Sequence, residues 1–178
     1  MFMTWFRENK ISSVLWLVFR LYLGWSWLTA GIEKLSGDKP FDAQGFLAGA
    51  VKKAVGDHPV VQPWWAAFLN KVALPHVELF NFLVMWGEIL VGIALLLGLF
   101  TTFAALMGAV MNFAFLFSGS TSTNVQMVLL TVFVLAAGAN AGRYGLDRYV
   151  LPYLLRKMHH DGHKPTATGT GPMKPHHV

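Results

Sequence analysis

Cysteine is absent from the chain. That excludes disulfide staples, thiolate metal sites, iron–sulfur clusters and any dithiol relay. Charge is scarce as well: Asp, Glu, Lys and Arg together make up 13% of the residues, and from Ile89 to Gly142 there is none of them, nor a His. In water such a run would drive aggregation; in a bilayer it reads as successive spanning helices. There is no glycine-rich phosphate loop, no nucleophile constellation and no helical zinc motif. No pair of histidines is placed across two spans as haem ligands would be, so neither metal nor haem is expected.

What the chain does have is apolar bulk, 54% of its residues, and a net charge of +5. The basic residues flank apolar runs instead of forming an aromatic-interleaved patch. The expected partner is therefore the lipid bilayer, not nucleic acid. The predicted fold is all-α: a transmembrane four-helix bundle whose long first extramembrane loop carries short amphipathic helices. Residues 1–157 read as one membrane domain with spans at about 12–35, 77–100, 101–117 and 125–140. Residues 158–178, rich in His, Pro and Gly, read as a disordered tail. The first apolar run, Ile11 to Ile32, is longer than a signal-peptide core and ends in Glu33 and Lys34, so it is expected to stay as a span.

Within the loop, Phe46, Leu47, Ala50, Val51 and Ala54 form one apolar stripe, with Asp42 near its start. A second stripe after Pro63 holds Trp64, Trp65, Phe68, Leu69 and Val72. Tryptophan-rich faces suit the headgroup boundary, and both pieces are too short to span. A tight turn is expected from Gly98 to Thr102 and a polar turn from Ser118 to Asn124. Basic residues beside the first and last spans place both termini on the cytoplasmic side of a plasma membrane.

Ionisable and amide groups inside spans are the candidates for chemistry. Glu88 and Asn112 fall near mid-membrane at 1.5 Å of rise per residue. Met85 shares a helix face with Asn81, Glu88 and Gly92; Trp27 shares one with Arg20, Gly24 and Gly31. Arg20 is expected within reach of Glu88 if the two faces meet. Glu33 and Glu78 are expected at the outer rim with Lys34 and His76. Two readings of Glu88 stay open: a proton acceptor beside a redox ligand such as a quinone, or a structural tie between the first two spans. Asn112 reads first as a buried inter-helix hydrogen bond.

Three pieces, in order, resemble the DoxX/DoxD-like family of small four-span bacterial membrane proteins. They are Arg20 to Gly24 leading into Ala30-Gly31-Ile32-Glu33-Lys34-Leu35; Gly87-Glu88 with Gly92 and Gly98-Leu99-Phe100-Thr101-Thr102; and Gly142-Arg143-Tyr144-Gly145-Leu146-Asp147. The long Trp-bearing loop is similar to that of the DoxD type, the membrane subunit of thiosulfate:quinone oxidoreductase. The resemblance implies quinone-linked redox chemistry, in thiosulfate or related sulfur oxidation or in oxidative-stress defence, with a second redox subunit as partner. On that reading Glu88 and Arg20 are the catalytic candidates, and Trp27, Met85 and Asn112 contact the quinone. Lys34, Glu33 and His76 meet the substrate. Two other functions remain in view: a non-enzymatic scaffold for soluble redox proteins, and a small-molecule carrier. A homo-oligomer is compatible with each.

Overall fold

The computed structural model describes residues 2–161, and those residues are helical with no strand among them. In order they form α1 (Phe2–Glu8), α2 (Lys10–Ser36), α3 (Gln44–Lys52), α4 (Pro63–Phe68), α5 (Val77–Leu97), α6 (Thr101–Phe117), α7 (Asn124–Ala137) and α8 (Asp147–Asp161). A π-helical turn, Leu69–Ala73, prolongs α4, and a 3-10 turn, Gly138–Asn140, prolongs α7. Three segments are long and apolar enough to cross a membrane: Lys10–Ser36, Val77–Leu97 and Asn124–Gly142. Helix α6 is apolar too, but shorter, at 17 residues.

The 27 residues of α2 reach about 40 Å at 1.5 Å per residue. The helix starts where the Asn9 side chain accepts from the Ile11 amide at 2.7 Å, an N-cap that also separates α1 from it. Span 2, expected to reach Phe100, stops at Leu97. Gly98 takes up a left-handed conformation (φ 65) and Phe100 another (φ 49), which reverses the chain into α6.

Helix α2 packs on α5, α5 on α6, α6 on α7, and α7 back on α2. Between them lie Trp16, Leu23, Trp27, Val91, Leu95 and Ala105, all buried. A second apolar cluster sits at the loop end of the molecule, opposite both termini. It joins Ala43, Leu47 and Ala50 to Leu69 and Ala73, with Phe41, Trp65, Phe68 and Phe80 around them. The first loop thus folds back as a roof. It is held by Trp65 Nε1 donating to Ser118 Oγ (2.9 Å), Lys53 Nζ to the Gly119 carbonyl (3.2 Å) and the Ala43 amide to Asn81 Oδ1 (2.8 Å).

The stripe expected after Pro63 is partly rotated. Leu69 and Ala73 point inward, whereas Trp64 and Val72 are exposed. For Val72 the π turn is the cause: Leu74 donates to the Leu69 carbonyl five residues back, and the wider turn favours Ala73, the i+4 partner of Leu69, over Val72, the i+3 one. Of the tail expected from Met158, residues 158–161 continue α8, and the rest lies outside the described residues.

Candidate functional site

The site begins with glycines. A Cβ on Gly31 would lie 2.9 Å from the Ile89 amide nitrogen, and one on Gly92 would lie 2.8 Å from Leu28 Cα. A Cβ on Gly24 would come within 3.1 Å of the Gly92 carbonyl oxygen. Helices α2 and α5 therefore touch backbone to backbone, in antiparallel register, at small residues. This is how helices associate where lipid removes the hydrophobic drive between them. The register carries Lys34, one turn beyond Gly31, to Glu88.

Lys34 Nζ donates to Glu88 Oε2 at 2.8 Å and to its own helix at the Ala30 carbonyl at 3.4 Å. The ammonium also lies 5.4 Å from the centre of the Phe41 ring. The Glu88 side chain is 2% exposed and that of Lys34 23%. A carboxylate so deep in an apolar helix costs several kcal/mol unless a cation meets it. Lys34 supplies that cation.

The pair forms part of the wall of a cavity of about 580 Å³. Trp27, Phe41, Trp65, Phe68 and Phe115 supply aromatic walls. Ser118, Ser120, Ser122, Thr123 and Asn124 supply a polar edge from the α6–α7 turn. The loop roof, through Trp65 and Phe68, closes the loop end. A carboxylate beside an ammonium, in a chamber with aromatic walls and one polar edge, can hydrogen-bond the polar head of an apolar ligand and exchange a proton with it.

Arg20 is not there. The expected approach to Glu88 is overturned by the same register, which puts Arg20 beside the far end of α5. It is 1% exposed, its Nη2 donates to the Tyr144 carbonyl at 3.2 Å, and its guanidinium lies against Gly98 and Gly145. Close by, the Asp147 carboxylate accepts from the amides of Phe100 (2.6 Å) and Thr101 (2.9 Å), capping α6 from across the chain. The Asp147 amide donates to the Gly98 carbonyl at 2.8 Å, and the Leu146 amide to Leu97 at 3.1 Å. Arg20, the Gly98–Thr102 segment and the Gly142–Asp147 segment thus form one knot at the end that carries the termini.

The remaining candidates divide in the same way. Trp27 lines the cavity, with its indole nitrogen turned onto α6 at Gly108 and without a partner. Asn112 is fully buried one turn along α6 from Gly108, and neither side-chain atom has a hydrogen-bond partner, so the inter-helix bond expected of it is not made. Gly87 packs on Met111, which sets Asn112 level with Glu88, yet it is not part of the cavity wall. Met85 is half-buried and also off the wall. Glu33 is exposed, and His76 is exposed with Nδ1 2.9 Å from the Val72 carbonyl at the start of α5. The structure thus joins Glu88, Lys34 and Trp27 and leaves out Arg20, Met85, Asn112, Glu33 and His76. Sequence reasoning expected the Trp64-Trp65 loop to cap the mouth of the site, and of the two Trp65 lines the cavity; it missed the walls from Phe41 and Phe115 and the serine-rich edge. The signal for the pair was present in the spacing of Gly24, Gly31 and Gly92. Among the described residues no group of three or more His, Asp or Glu side chains is placed to hold a metal ion.

Apolar crossing helices, a buried ion pair and a roofed aromatic chamber define an integral membrane protein built around an internal ligand-sized cavity. The chain belongs to the DoxD family: the family model described as TQO small subunit DoxD matches residues 15–164. The resemblance carried by the three motifs is therefore borne out. No curated protein and no solved structure matches the chain.

Proposed function

We propose that the chain is the membrane subunit of a quinone-linked system that oxidises thiosulfate or a related sulfur compound. In this reading α2, α5, α6 and α7 all span the plasma membrane as a four-helix bundle, with both termini cytoplasmic. The cavity beside Glu88 and Lys34 takes the quinone head. The observation that carries the reading is that pair, set in an aromatic chamber of about 580 Å³ in a DoxD-family chain. The volume suits a substituted benzoquinone ring with the first part of a tail, and the aromatic walls suit stacking on it.

Quinone reduction takes up two electrons and two protons. Glu88 is the group placed to pass protons, and Lys34 holds its carboxylate in position and faces the ligand as a hydrogen-bond donor. With no cysteine, the chain has no thiol relay of its own, so electrons pass either directly between bound substrates or through a partner subunit; the small-subunit family favours a second, catalytic subunit that handles the sulfur substrate. Arg20 is reassigned: it is a structural residue of the terminal knot. Trp27 keeps its role as a quinone contact.

The test is quinone binding and reduction in nanodiscs, with thiosulfate and the proteins that co-purify from native membranes. Quinol formation that Glu88→Gln abolishes supports the proposal. Absence of quinone binding by the intact protein would end it.

The scaffold reading has one observation in its favour. Helix α8 presents Arg148, Tyr149, Tyr153 and Arg156 to the outside. A soluble oxidoreductase that co-purifies in fixed ratio, and is lost when these four are changed while quinone binding persists, would favour it.

A further inference from the structure

The cavity has a mouth, and its position says how a ligand gets in. Helices α2 and α7 touch at Trp16 and Phe133, whose rings stack at 6.2 Å, and again where Gln126 Nε2 donates to the Tyr22 hydroxyl. Just beyond that contact α7 ends, at Asn124, whereas α2 runs on to Ser36. The stretch of α2 past Tyr22 therefore has no α7 beside it. The cavity occupies this gap, edged by Trp25, Ser26 and Thr29 on α2 and by Ser122, Thr123 and Asn124 across from them.

Trp25 is 63% exposed and Tyr22 43%. Both lie midway along a helix long enough to cross the membrane, far from its ends. In the four-span reading this stretch of α2 lies within the bilayer, which turns the outer faces of both rings towards lipid. The loop end is the shut side: Trp65, Lys53 and the Ala43 amide tie the roof to the α6–α7 turn and to α5, and Phe46 packs edge-on against Phe115. The hydroxyls of Ser26 and Thr29 bond back to their own helix, at the carbonyls of Tyr22 and Trp25, so the α2 edge of the mouth offers a ligand no free donor. Ser122, Thr123 and Asn124 make the opposite edge polar, so an apolar chain would pass on the α2 side, along Trp25.

We infer that the cavity is loaded sideways from the bilayer, through the gap between α2 and α7, by a ligand with a lipid-soluble tail. The polar head rests at Glu88 and Lys34, and the tail leaves past Trp25 into the hydrocarbon. This rests on the quinone reading of the same cavity and adds the ligand class, the tailed lipid-soluble quinones, and the route.

The lack of native cysteine makes the test clean. Thr123 is exposed at the edge of the mouth, so Thr123→Cys carries the sole thiol and can be labelled with a bulky maleimide in the folded protein. Binding of a tail-free benzoquinone and of its decyl-tailed analogue is measured in nanodiscs before and after labelling. Labelling is expected to weaken the decyl-tailed analogue about tenfold and the tail-free one by about twofold or less. The unlabelled variant is its own folding control. Equal effects on both analogues, or none on either, would overturn the lateral route and leave the quinone reading standing. Failure of both analogues to bind the unlabelled protein would overturn the two together.

Discussion

Removing either member of the Lys34–Glu88 pair should not cost the same. Lys34→Met strands a carboxylate whose side chain is 2% exposed, and among the described residues no other cation lies within bonding distance of it. Breaking a buried pair from that side costs about 3–5 kcal/mol. Glu88→Gln leaves the ammonium instead, and Lys34 is 23% exposed and already bonded to the Ala30 carbonyl. A long flexible side chain with that much access can turn to water or headgroups, so the loss should be about 1 kcal/mol. The double variant, Lys34→Met with Glu88→Gln, leaves no stranded charge and should fall within about 1.5 kcal/mol of the wild type. The assay is reversible unfolding in mixed micelles, read as a double-mutant cycle with a coupling of about 2.5–4.5 kcal/mol expected. Equal losses from the two single variants, or a coupling below about 0.5 kcal/mol, would refute the argument that Glu88 depends on Lys34.

Gly92→Ala should lower stability by about 1–3 kcal/mol, because its methyl would meet the Leu28 backbone at 2.8 Å or less; a thermal melt checks this. Asp147→Ala removes the acceptor of two amides at the head of α6 and the nearest anion to Arg20, and should cost about 3 kcal/mol. Asp147→Asn should recover part of that in the same melt. Trp65→Phe keeps the ring but loses the bond to Ser118, about 1 kcal/mol, and should speed hydrogen exchange in residues 41–75 while α2 and α5 stay protected.

How much of this was written in the chain can be judged residue by residue. The helices of the hairpin around Gly98 and the polar turn before Asn124 follow from composition alone, since apolar runs and turn residues alternate without ambiguity. The loop helices were legible from their stripes, except where the π turn changed the period. Lys34, Glu88 and Trp27 were singled out, but Glu88 was matched to Arg20. Depth along a helix was estimated from sequence, whereas register between helices is set by which glycines interlock, and that depends on a partner in space. The knot of Arg20, Gly98 and Asp147 was hidden for the same reason. Its three pieces stand far apart in the chain, and each bond in it is to a backbone group that no side-chain pattern announces. The aromatic chamber exists because α7 begins late and α3 and α4 fold over the gap. A mismatch of helix lengths shows only once the helices are side by side.

The same bonds bear on how the chain is made. Synthesis runs from the N-terminus, so α2 emerges with Arg20 and Lys34 in it before the partner of either exists. The carboxylate that meets Lys34 is 54 residues downstream, and the carbonyl that meets Arg20 is 124 downstream. Until α5 arrives, the first helix carries its charges and its bare glycine face with nothing to set them against. It must wait beside the insertion machinery, or at the membrane edge, for the later helices to join it. A chain cut before Glu88 is therefore expected to be degraded faster than the full chain, which a pulse-chase measurement would read.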